Sequence, residues 1–145
     1  MSSPDCQPQA DPAAQPTCWF HVTLASRLKS IRLLGITPGR KRLWSNTWGD
    51  KLGDTKCVYL INDFTAAVRW AFEMEYNFNK PAVILLLSGP PDSLEWDTNG
   101  GSHGGGQHWF KTTQAFPPQA IIREIPLTRD LCRSVARTGT AEMPE

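Results

Sequence analysis

The sequence predicts a single α+β domain, and three observations lead there. Short apolar runs rich in β-branched and aromatic residues (CWFHVTL, CVYLIN, AVILLLS and AIIREIPL) are separated by two segments of helical period. The later runs are divided by turn residues rather than helices, which suits hairpin-like antiparallel pairing more than a doubly wound sheet. The chain has 145 residues, 40% of them apolar, enough for one hydrophobic core and too few for two.

In order along the chain, residues 1–17 (MSSPDCQPQADPAAQPT) carry four prolines among small and polar residues, with little apolar surface to offset ordering entropy. The expectation is a disordered leader at 1–17, a folded domain at 18–137 and a disordered tail at 138–145. CWFHVTL (18–24) reads as the first strand. Leu24, Leu28, Ile31 and Leu34 then recur at helical spacing, with Gly35 where a helix would end and Pro38-Gly39 as a turn. Residues 40–56 read as an irregular basic and aromatic loop holding Trp44 and Trp48.

CVYLIN (57–62) is the second strand. Asn62 or Asp63 is placed to cap a helix whose Ala67, Trp70, Ala71, Met74 and Phe78 form one apolar stripe. AVILLLS (82–88) is uninterrupted and should be the most buried strand. A loop rich in glycine follows, then HWFKTT, the turn FPPQ, the strand AIIREIPL (120–127) and a short terminal helix over 128–137. No internal repeat is visible.

Charge excludes little. The net charge is +1, but Arg27, Lys29, Arg32, Arg40, Lys41 and Arg42 fall together with no acid among them. Such a cluster is either a solvated face or a contact for phosphates, nucleic acid or an acidic protein. The four cysteines form no CxxC pair, so neither a zinc site nor a disulfide framework is indicated. No signal peptide and no membrane-length apolar run are visible, which makes a reduced, cytoplasmic setting the expectation, without membrane partners.

The chemistry-bearing residues are few. There is no GxSxG elbow, and GGSHGGGQ lacks the lysine of a phosphate-binding loop, so its glycines read as a mobile flap. His103 and His108 lack a third ligand for a metal. Asp92, Glu95 and Asp97 fit either a general base or simple solubility. Trp44 and Trp48, flanked by basic residues, suit either base stacking or anchoring to the core. His21 is unexplained by these readings: a lone imidazole in an otherwise apolar strand.

The order of these pieces is more informative than any one of them. HVTLASRLKSIRLLGITPG, then a basic aromatic loop, then CVYLINDFTAAVRWA, an apolar strand and a late FPPQAI resemble the ADP-ribosyltransferase fold superfamily. The branch is the one shared by poly(ADP-ribose)-polymerase-like enzymes, diphtheria-toxin-like enzymes and RNA 2′-phosphotransferases. The likeness spans about residues 18–127 and implies split antiparallel sheets with two main helices.

It also implies NAD as substrate, with ADP-ribose passed to a macromolecular acceptor, protein or nucleic acid, and nicotinamide released. By that resemblance His21 holds the adenosine ribose, the Val22 backbone the nicotinamide amide, and Thr23 supports the strand. Tyr59 stacks on the nicotinamide ring, and Arg40, Lys41 and Arg42 are candidates for the pyrophosphate or a target. The sequence departs from the pattern at the catalytic glutamate, where Gln107, or else His108, stands; glutamine accepts a ribose hydrogen bond but supplies no charge and no base. Glu124 belongs on a strand face beyond the site. Two other functions remain open on the same fold, a non-catalytic nucleotide or nucleic-acid binding module and RNA 2′-phosphate transfer.

Overall fold

The most apolar run in the chain becomes its central support. Residues 82–87, AVILLL, form a strand buried along its whole length, because the sheet around it is covered on both faces. The computed structural model describes residues 18–38, 57–89, 91, 93–96 and 108–145. The leader 1–17, the basic aromatic loop with Arg40, Lys41, Arg42, Trp44 and Trp48, and the stretch carrying Asp92, Asp97, His103 and Gln107 are divided accordingly: all these residues lie outside the described ones.

The elements, in chain order, are β1 (Trp19–Leu24), a 3-10 turn (Ala25–Arg27), α1 (Leu28–Leu34), β2 (Val58–Ile61), α2 (Phe64–Phe78) and β3 (Ala82–Leu87). They continue with β4 (Glu95–Trp96), β5 (Trp109–Thr112), a 3-10 turn (Pro118–Ala120), β6 (Ile121–Pro126) and α3 (Arg129–Thr138). The six strands among the described residues join one antiparallel sheet in the order β4-β5-β2-β1-β3-β6. An antiparallel sheet with helices packed against it is the α+β architecture expected.

The division into separate sheets needs correction. β1 pairs with β3 from Trp19–Leu87 through Leu24–Ala82, and β2 pairs with β5 from Val58–Thr112 through Ile61–Trp109. Between β1 and β2, however, Phe20–Ile61 is the one paired position among the described residues. The result is a continuous sheet with a narrow seam, joining a β4-β5-β2 half to a β1-β3-β6 half.

Pleat alternation distributes the core. Phe20, Val22, Leu24, Ile84 and Leu86 face α2, and Leu131 and Val135 of α3 pack on the same cluster. Trp19, Leu60, Val83, Leu85 and Leu87 face the other way, against Ile31 of α1, Ile36 and Phe116. Helix boundaries follow local chemistry. Asp63 caps α2 by accepting from the Ala66 N–H at 2.9 Å, and Asn79 closes it in the left-handed region with φ 52°.

At the end of α1, Gly35 has φ +80° and ψ −167°, a conformation reserved almost entirely for glycine. A Cβ there would meet the Phe116 carbonyl oxygen at 2.1 Å. That close approach lets Ile36 and Phe116 exchange two backbone hydrogen bonds of 2.8 Å. The α1 stripe is shorter than its spacing implies: Ile31 is buried, whereas Leu34 is exposed and Leu24 belongs to β1.

Two further expectations change. Glu95–Trp96, expected in a loop, forms the short edge strand β4 on β5. The segment from 138 onward, expected to be disordered, docks on α2. Ala141 is buried, its N–H donates to Thr65 Oγ1 at 3.0 Å, and Met143 packs against the core. Three apolar or hydrogen-bonding anchors within a few residues hold this tail, although its sequence is small and polar.

Candidate functional site

The seam between β1 and β2 is where His21 sits. Parity along β1 shows why. The Ala25 N–H bonds the Pro81 carbonyl on the β3 side, so the odd residues of β1 direct their backbone toward β3 and the even ones toward β2. On β2 the Asn62 N–H bonds the His108 carbonyl on the β5 side, which leaves Tyr59 and Ile61 facing β1. The backbones of Val22 and Tyr59 therefore address each other one step past the Phe20–Ile61 pair, where the register no longer continues.

His21 enters this gap from its own strand. Its Nδ1 lies 2.9 Å from the Tyr59 carbonyl oxygen. A carbonyl only accepts, so Nδ1 carries the proton in this contact and the imidazole takes the place of a ladder donor. Burial pushes the His21 pKa below its ordinary value; the Tyr59 bond opposes that, and the Arg27 charge adds to it. The ring is neutral at pH 7, and Nε2 is then a hydrogen-bond acceptor.

Around this point the flanking residues are fixed. The Val22 and Thr23 side chains are buried in the two faces of β1. Tyr59 is half-buried and, by alternation, shares the face of Ile61 and Trp109. Trp109 stands edge-on to Trp70 of α2 with ring centroids 4.7 Å apart, which makes that face aromatic. The Trp109 indole N–H is buried and has no hydrogen-bond partner among the described residues.

β5 is pinned at its first residues. The Asn62 N–H donates to the His108 carbonyl at 3.2 Å, and His108 Nδ1 lies 3.0 Å from Asn62 Oδ1. This pair was missed as a unit in the sequence, where Asn62 read as a cap candidate and His108 as a metal-ligand candidate or the alternative to Gln107. The usable signal was the junction itself, a polar residue ending one strand and a histidine starting its partner.

Of the residues singled out by sequence, the structure brings the backbones of His21, Val22, Thr23 and Tyr59 to the seam, with the His21 and Thr23 side chains on one face of the sheet and those of Val22 and Tyr59 on the other. Gln107, Arg40 and Arg42 lie outside the described residues. Glu124 is in register with His21 through Leu85, two strands away on β6, roughly 10 Å by sheet spacing. There it is occupied: Arg32 Nε donates to Oε2 at 2.7 Å and Nη2 donates to Oε1. That hydrogen bond and charge hold the Glu124 carboxyl below the usual range, though burial opposes them. Glu95 is exposed on β4.

Among the described residues no group of three histidine, cysteine or acidic side chains is placed to hold a metal ion. No helix among them is long and apolar enough to cross a membrane. No protein-family model matches the chain, and no curated protein matches it.

Proposed function

We propose that the protein transfers ADP-ribose from NAD to a macromolecular acceptor and releases nicotinamide, on an ADP-ribosyltransferase-like fold. The observation that carries this reading is the broken ladder at the β1–β2 seam. There a strand directs the N–H and C=O of Val22 into a junction, next to a neutral imidazole whose tautomer is set by the Tyr59 carbonyl.

The chemistry of that junction suits the substrate. A carboxamide such as that of nicotinamide offers one acceptor and one donor, the complement of a single strand residue's N–H and C=O. A neutral Nε2 accepts from a hydroxyl, which a ribose supplies. Tyr59 is half-buried, and its phenol ring is assigned the stacking contact with the nicotinamide ring that the resemblance implies. Cleavage of the nicotinamide–ribose bond builds positive charge on the ribose, so the enzyme's task is to orient the dinucleotide and stabilise that charge. Val22, His21 and Tyr59 perform the orientation, and Arg40 and Arg42 are assigned to the pyrophosphate. Gln107 takes the position of the ribose-contacting carboxylate and holds a hydroxyl without acting as a base.

The test is nicotinamide release from NAD in the presence of cell lysate. Wild type should release it. His21→Ala and Tyr59→Ala should each lower the rate by roughly 10²-fold, the scale for losing an orienting contact. Release that is indifferent to both substitutions would refute the assignment. NAD binding by calorimetry without release would instead establish a non-catalytic binding module, the consequence of having glutamine at 107. Consumption of NAD only with 2′-phosphorylated RNA would establish the phosphotransferase reading.

A further inference from the structure

α2 and α3 pack on one another, and each carries a row of exposed residues. α3 places Arg129, Arg133 and Arg137 four residues apart, on the side opposite Leu131 and Val135, which pack toward the core. All three are exposed, and none forms an ion pair among the described residues. Asp130 is the one acid on the helix. On α2, Phe72 and Tyr76 are also four apart, and they are 53% and 79% exposed. A large aromatic ring left open to solvent is uncommon, and two in line with an arginine stripe form a combined surface.

The helices are antiparallel, which keeps the two rows in step. Glu75, near the end of α2, lies close enough to Cys132 on α3 for its charge to help raise the thiol pKa, behind the larger effect of burial. At the other end Arg69 Nη2 donates to the Gly139 carbonyl at 3.1 Å. Tyr76, Phe72 and Arg69 therefore follow one another along α2 as Arg129, Arg133 and Arg137 follow along α3 in the opposite chain direction.

We infer that this α2–α3 face binds a single-stranded nucleic acid, with the arginines on its phosphates and Tyr76 and Phe72 stacked on its bases. Guanidinium groups match phosphate oxygens through paired N–H donors, and aromatic rings accept any base by its π-face. The arginine row spans about 12 Å at 1.5 Å per residue, the length of a few nucleotides. A duplex hides its base faces and an acidic peptide has none, so neither would use the rings. The surface is separate from the β1–β2 seam and the inference does not rest on the transferase reading.

Fluorescence polarisation of a labelled mixed-sequence 12-nucleotide single strand, RNA and then DNA, tests it with the full chain and no NAD. Affinity should fall with salt with a log–log slope of about −2, three phosphate contacts at 0.7 each. Arg129→Gln/Arg133→Gln/Arg137→Gln should flatten that slope to near zero. Tyr76→Ala should weaken binding roughly tenfold and leave the slope intact. All four positions are exposed, and thermal melting would confirm that the variants fold. Absence of binding to either strand at low salt, wild-type affinity in the triple variant, or equal competition by the duplex or by poly-glutamate would each overturn the inference.

Discussion

His21 shows how one side chain can occupy the position of a missing backbone bond. Because burial depresses its pKa in the folded protein, the unfolded chain, with an ordinary value of 6.5, binds more protons over the interval between the two. The stability associated with the neutral ring is therefore fully present above about 6.5. It is lost as pH falls through the folded value, below which the dependence levels off. Urea unfolding from pH 8 to 5 should show this loss in wild type and a smaller one in His21→Gln, whose side-chain amide has a donor for the Tyr59 carbonyl but does not titrate. An equal slope in both would mean that His21 is not the group responsible. Arg32–Glu124, although paired at both carboxylate oxygens, is exposed at the arginine and so contributes little to stability.

Among the elements, α2 was the most legible in the sequence, because its determinants are local. Asp63 as cap, a stripe at helical spacing and a Pro81 beyond the end act within a turn or two of chain. β3 was legible for a similar reason, since a short uninterrupted apolar run bounded by Pro81 and Gly89 suits a strand covered on both faces. The terminal segment was misread because its anchors come from another element. Thr65 both accepts from the Ala141 N–H and reaches its carbonyl at 3.3 Å, a contact between residues far apart in the chain. Deleting residues 140–145 should cost about 1–2 kcal/mol through lost burial and hydrogen bonds. The corresponding fall in Tm is about 3–8 °C. Thr65→Val should reproduce part of it, and an unchanged melting curve for the deletion would show that the docking contributes nothing.

At the scale of the whole molecule, the sheet is strong on one side of the seam and weakly joined to the other. β3 is paired on both edges and buried on both faces, whereas β2 meets β1 at the Phe20–Ile61 pair. Amides of β1 and β3 should then exchange with solvent only by global unfolding, and those of β2 and β5 through a smaller opening of lower free energy. Native-state hydrogen exchange across sub-denaturing urea reads this directly. Equal protection in both halves would show that the seam does not divide the sheet energetically.

The same contrast separates what was readable from what was not. His21, Val22, Thr23 and Tyr59 were singled out by the order of segments, yet nothing local indicated that His21 Nδ1 would reach the Tyr59 carbonyl. His108 and Asn62 went unrecognised as a pair because each has an ordinary local reading. The aromatic and arginine rows on α2 and α3 were likewise invisible: each is only a surface pattern until the helices are known to lie antiparallel.

By itself, the sequence determined the α+β class, most strand and helix positions, the start of α2 at Asn62 or Asp63 and the glycine at the end of α1, since propensity, period and backbone conformation act over a few residues. Only the tertiary structure decided that the strands form one sheet with a seam, that an imidazole bridges it, and that the tail docks. Those depend on contacts between segments far apart in the chain, 38 residues for His21–Tyr59 and 76 for Thr65–Ala141, where the winning arrangement is set by the burial and hydrogen bonding of the whole fold.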